Sequence, residues 1–187
     1  EAVNLPNLTY IDNLEFAETG ELASLSQALQ SRRGRFQPTI VSYGDVLFNK
    51  YIPQALCQEQ DDCVIFVDSN WRDQSSYARL GGFAECSVPN SRKAFNAKIH
   101  LKQLGKTLPE ESIHGVWMGF LKLSSSAASQ VNDLLLDMLA DPANRRAGIP
   151  QLLQALLKQD VPVRVLYTVG HWLDVNSLED VVQAGNF

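Results

Sequence analysis

Histidine and cysteine are scarce in this chain, three of each in 187 residues. Cys57, Cys63 and Cys86 form an odd set without the spacing of a disulfide framework, which points to free thiols and a reducing compartment. No His or Cys pair has the spacing of zinc ligands. No apolar run reaches the roughly 20 residues that span a bilayer, and no signal-peptide pattern opens the chain, so a cytoplasmic location is expected. Basic charge is also lacking. The formal net charge is -5 and the pI about 5.2, which gives no general attraction to nucleic acid or to an anionic membrane surface. The cluster Arg32-Arg33-Gly34-Arg35 is too short to change that and reads as a solvated turn. No Ser-His-Asp arrangement suggests a protein nucleophile.

What is present is an ordinary globular composition, 45% hydrophobic and 20% charged, at a length that fits one domain with a sizeable core. Leu8 to Ile11 reads as a short strand followed by turn residues. Leu22, Leu25, Ala28 and Leu29 recur at helical spacing within 21–30. Thr39-Ile40-Val41 is a buried-type strand, and Asn49 can cap a helix running to about Gln58, with Pro53 tolerated near its first turn. The continuous apolar run Cys63 to Val67 is that of a strand covered on both faces. Residues 72–112 are irregular, with short hairpin strands and a long excursion of the kind that shapes pockets. Val116 to Leu123 returns as a strand. Ser124 to Ser126 cap a helix ending at about Ala140, Ile149 to Gln159 is amphipathic, Val163 to Tyr167 is a strand, and Ser177 caps a last helix. Strands alternating with helices predict a three-layer α/β domain, a mixed, mainly parallel Rossmann-like sheet flanked by helices.

Two motifs carry chemistry: Val41-Ser42-Tyr43-Gly44-Asp45 and Val169-Gly170-His171-Trp172-Leu173-Asp174. Each reads as an apolar strand that turns and presents one carboxylate. Either aspartate alone is most simply a turn or cap residue. Brought together at strand ends, Asp45 and Asp174 would suit a hard divalent cation such as Mg²⁺, which takes oxygen ligands and keeps waters and substrate phosphates in its shell. Asp68 closes the strand from Cys63 and is either a turn residue or a second acid facing the site. Trp71, Trp117 and Trp172 each lie near a motif; they are either packing residues or an aromatic box for a cationic amine. Tyr43 is a further candidate for substrate contact. Lys122, His114 and His171 are more simply solvated or structural.

At Ser42-Tyr43-Gly44-Asp45-Val46-Leu47-Phe48 and at Gly170 to Asp180 the chain resembles the nucleotidyltransferase superfamily, the Rossmann-like enzymes with a GT-A-like sheet that activate sugar phosphates, phosphocholine or 2-aminoethylphosphonate with an NTP. Ile113 to Phe120 is similar to the family strand that passes the acceptor pocket. The likeness is strongest to cytidylyltransferases of the phosphocholine and 2-aminoethylphosphonate type, some of which are fused to a phosphoenolpyruvate phosphomutase. The resemblance implies that Asp45 and Asp174 hold Mg²⁺ between an NTP, CTP favoured, and a small amine-bearing phosphate or phosphonate acceptor, and that pyrophosphate leaves. It also implies association with, or fusion to, another catalytic domain in some members. A sugar 1-phosphate is the rival acceptor. A glycosyltransferase would want an Asp-x-Asp pair, whereas Val46 and Leu47 follow Asp45.

The chain departs from the family in two ways. The family begins with a glycine-rich loop bearing a basic residue, followed by a lysine, whose backbone N–H groups cradle the triphosphate. No such loop precedes Leu8, so residues 1–187 are expected to be one nucleotidyltransferase-like domain lacking its first βα unit, a fragment of a longer protein. Val116 stands where many relatives carry Glu. The alternative of another class is a catalytically silent domain serving regulation or assembly.

Overall fold

The computed structural model describes residues 7–32, 34–73, 82–94 and 97–185. Among the described residues the α-helices and strands follow one another as α1 (Glu21–Gln30), β1 (Thr39–Ser42), β2 (Val46–Phe48), α2 (Tyr51–Gln58), β3 (Cys63–Asp68), β4 (Phe83–Cys86), β5 (Leu101–Gly105), β6 (Gly115–Leu123), α3 (Ser125–Ala140), α4 (Ile149–Lys158), β7 (Val163–Thr168), β8 (Trp172–Asp174) and α5 (Leu178–Ala184). Six strands form the central sheet in the order β5-β4-β6-β3-β7, with β1 also paired to β6. β6 is long enough to hold two partners end to end on one flank: β4 pairs Gly115 and Val116, while β1 pairs Phe120 to Leu123. β3 runs along its other flank.

The three-layer α/β architecture is present, but parallel pairing is rarer than the alternating elements suggest. β1, β3, β4 and β7 run in one direction and β5 and β6 in the other, so β3–β7 is the parallel pair and the remaining pairings of this sheet are antiparallel. Two helices account for that parallel pair. α3 takes the chain back from β6 and α4 returns it, so β7 runs against β6 and alongside β3; one crossover helix would have made β6 and its successor parallel.

The sheet is covered on both faces. Cys63, Ile65 and Val67 of β3, with Trp117, Leu121 and Leu123 of β6, pack under α1, α3 and α4. Val64 and Phe66, with Val116, Met118 and Phe120, pack under α2 and a small antiparallel ribbon of β2 and β8. This two-sided covering is why β3 and β6 are buried at every position. Ser124 caps α3, its Oγ accepting the Ala127 N–H, as the serine run implies.

Leu8 to Ile11 forms no strand. Leu8, Tyr10 and Ile11 lie exposed. β propensity expresses itself only where a neighbouring strand and a buried face exist. Parts of the irregular stretch 72–112, Gly81 among them, lie outside the described residues. Among the described residues no helix is long and apolar enough to cross a membrane.

Candidate functional site

The β2–β8 ribbon joins the two aspartate motifs. Val46 lies opposite Asp174, Leu47 opposite Leu173 and Phe48 opposite Trp172. One step further, the Val175 N–H donates to the Asp45 carbonyl at 2.8 Å. Two segments about 130 residues apart therefore place their aspartates one register position apart. Asp45 is exposed in the turn between β1 and β2, while Asp174 is 6% exposed at the end of β8. The segment after Asp174 is held by a capping arrangement. The Asp180 carboxylate accepts from the Asn176 N–H at 3.0 Å and the Ser177 hydroxyl at 2.8 Å, and Ser177 Oγ accepts the Asp180 N–H.

Tyr43 lies within electrostatic reach of both carboxylates. Burial raises its phenol pKa above the ordinary value. Its hydrogen bond to Glu21 and that residue's charge raise it further, as do the charges of Asp45 and Asp174. Tyr43 does not hold its hydroxyl free for a substrate: it donates to Glu21 Oε2 at 2.8 Å.

Asp68 is fully buried at the end of β3. Its carboxylate accepts the Asn70 N–H at 2.9 Å, the Gly170 N–H at 3.2 Å and the Trp172 indole N–H at 2.8 Å. It ties the end of β3 to the β7–β8 turn, in which Gly170 and His171 both take positive φ, 65° each. That turn is also braced by Tyr51, whose hydroxyl lies 2.5 Å from Thr168 Oγ1 and whose ring meets the His171 imidazole edge-on.

The three tryptophans do not assemble into one aromatic box. Trp117 is 0% exposed in the core under α1, α3 and α4, with its indole N–H donated to the Phe120 carbonyl. Trp172 is buried on the opposite face of the sheet and anchored by Asp68. Trp71 also lies on that opposite face and is half-buried. It meets Phe83 edge-on, and the Arg72 guanidinium sits 4.6 Å from its ring centroid. The cause is strand alternation, which sends Trp117 to one face and Val116 and Met118 to the other. Lys122 donates to the Glu59 and Asp61 carbonyls at the far end of the sheet. His114 Nδ1 accepts the Cys86 N–H. Burial pushes the Cys63 and Cys86 thiols up to about 11, which does not suit a nucleophile.

Among the described residues no set of three or more His, Cys, Asp or Glu converges as metal ligands. Two carboxylates without a nitrogen or sulfur donor still match the preference of Mg²⁺ for oxygen and for a shell completed by phosphates and water. A groove of about 420 Å³ between β5 and α4, lined by Lys102, Gln103, Gln154, Leu157 and Lys158, includes none of these residues.

No family model matches the chain, and no curated protein matches it by sequence. Solved structures do share its fold. One is a Bacillus anthracis protein assigned as a glucose-1-phosphate thymidylyltransferase, in complex with sucrose (TM-score 0.62, 16% identity, covering 95% of this chain and 63% of that one). Another is the inositol-1-phosphate CTP transferase of T. maritima (0.61, 16%, 91% and 60%). A third is the CTP:phosphocholine cytidylyltransferase of Streptococcus pneumoniae (0.61, 11%, 93% and 66%). The fold is that of nucleotidyltransferases, and the chain spans 60–66% of the lengths of these neighbours.

Proposed function

We propose that this chain is the acceptor- and metal-binding part of a nucleotidyltransferase that moves a nucleotidyl group, CMP from CTP, onto a small amine-bearing phosphate or phosphonate. The observation that carries this reading is the β2–β8 ribbon, which sets Asp45 and Asp174 one register position apart on a fold shared with nucleotidyltransferases. Asp45 and Asp174 would hold Mg²⁺, which when bound neutralises phosphate charge. An acceptor oxygen attacks the α-phosphorus, the bond to pyrophosphate breaks, and catalysis rests on placement and electrostatics. Ser177 and Asp180 fix the chain that leaves Asp174, and Asp68 fixes the turn that leads to it. CTP is favoured because two of the neighbours are named for it, one of them with phosphocholine.

A sugar or polyol phosphate is the second reading of the acceptor. Burial of Trp117 and Trp172 leaves Trp71 as the tryptophan within reach of an amine, and the two neighbours besides the phosphocholine enzyme are named for glucose 1-phosphate and inositol 1-phosphate.

The test is pyrophosphate release by the protein containing this chain, with Mg²⁺ and each NTP against phosphocholine, 2-aminoethylphosphonate and glucose 1-phosphate. Release with CTP and an amine acceptor is expected. Asp45→Asn and Asp174→Asn should each lower it by about a hundredfold or more with the fold intact. Full activity in either variant removes the metal assignment. No release with any pair favours the silent domain.

A further inference from the structure

Glu21 and Tyr43 carry an inference that deepens the proposed reading and rests on it. We infer that these two side chains form a clamp that positions the Asp45 turn by tying it to the start of α4. Three distant segments converge on one oxygen. Glu21 Oε2 accepts the Tyr43 hydroxyl at 2.8 Å and the Ile149 N–H at 2.9 Å. Ile149 opens the ten-residue helix α4, so the carboxylate satisfies one of that helix's free N–H groups. The approach depends on Gly148, where an added Cβ would fall 2.6 Å from the same oxygen.

Tyr43 lies two residues before Asp45, and its ring is held as firmly as its hydroxyl. It covers Gly119, which has φ +81° and where an added Cβ would fall 2.9 Å from the ring. It also meets Trp117 edge-on at 5.4 Å. The turn beyond it has little else to rest on. Gly44 and Asp45 are exposed, and an added Cβ at Gly44 would meet nothing within 4 Å. Val175 ties the turn on one side and Tyr43 ties it on the other. Glu21 and Tyr43 are thus positioning residues that act on Asp45 through the backbone.

The experiment compares this chain with its Tyr43→Phe, Glu21→Ala and Glu21→Gln variants by residue-resolved amide exchange. Val175 reports the turn, and Val64 and Leu121 report global opening. Tyr43→Phe keeps the ring on Gly119, so the fold persists. It and Glu21→Ala should speed exchange at Val175 about threefold to tenfold, the range expected for losing an ordinary side-chain hydrogen bond, with Val64 and Leu121 unchanged. Glu21→Gln keeps an accepting oxygen and should restore the wild-type rate. Unchanged exchange at Val175, or an equal rise at all three amides, overturns the clamp. A Mn²⁺ titration read by electron paramagnetic resonance separates this from the metal assignment. Binding that ignores Asp45→Asn defeats that assignment, while Val175 exchange still decides the clamp.

Discussion

The two faces of the central sheet are built differently. Under α1, α3 and α4 lies a broad core fed by long helices and by every second residue of β3 and β6. Under α2 and the β2–β8 ribbon lies a smaller core, roofed by an eight-residue helix and two three-residue strands. The first face holds Trp117 with all its needs met inside the protein. The second holds Trp172 through a buried carboxylate that also fixes the turn before Asp174. The broad face acts as a platform, and the thin face carries the candidate chemistry on segments that need tethers.

Mutations can break this comparison. Trp117→Ala empties the platform and should cost about 3–5 kcal/mol in chemical denaturation, with loss of the whole cooperative unit. A cost below that of any single change in the ribbon would reverse the roles of the two faces. Trp172→Phe keeps the ring but removes one donor from the buried Asp68 carboxylate. It should cost about 1–3 kcal/mol and loosen β8 in amide exchange before β3. A uniform rise in exchange would show that the ribbon is as much a part of the global core as Trp117.

The smallest expected effect is at the edge of the platform. Asp62 accepts from Ser124 at the start of α3, and from Ser126 at 3.1 Å. These bonds hold its pKa below the ordinary carboxylate value, the Ser124 bond most of all. A lowered folded-state pKa means that the stability Asp62 adds is present above the unfolded value and is lost as pH falls through the folded one. Asp62→Asn should therefore lower stability slightly near neutrality, where these bonds act, and flatten the acid limb of a stability–pH curve below about pH 4, where the two proteins converge. Because Asp62 is exposed, the change should be small; an unchanged acid limb would show that the serine bonds add nothing.

Legibility in the sequence followed the length and periodicity of each element. α1 was plain from Leu22, Leu25 and Leu29, and β3 from its unbroken apolar run, because long regular patterns report burial directly. β2 and β8 were not, since three residues carry no period. The ribbon exists because Val46 and Trp172 pack on the sheet below. Asp45 and Asp174 were legible as a pair through their motifs, and the ribbon supplies the register that joins them. For Trp117 packing and an aromatic box both stayed open, because proximity to a motif in sequence says nothing about which face of a strand a side chain takes. Glu21 went unnoticed since an acidic residue in a helix's first turn ordinarily serves its own helix, whereas here it serves α4.

The place of β6 sets an order of assembly. β1, β3 and β4 precede it in the chain, each pairs with it, and none pairs with another of the three. Among the described residues, the strands before residues 115–123 offer β1 and β3 no partner, and they offer β4 its hairpin partner β5. Pairing among these three strands in a growing chain therefore waits for one late strand, and the apolar run of β3 waits about fifty residues of synthesis for β6, several seconds at ribosomal speed.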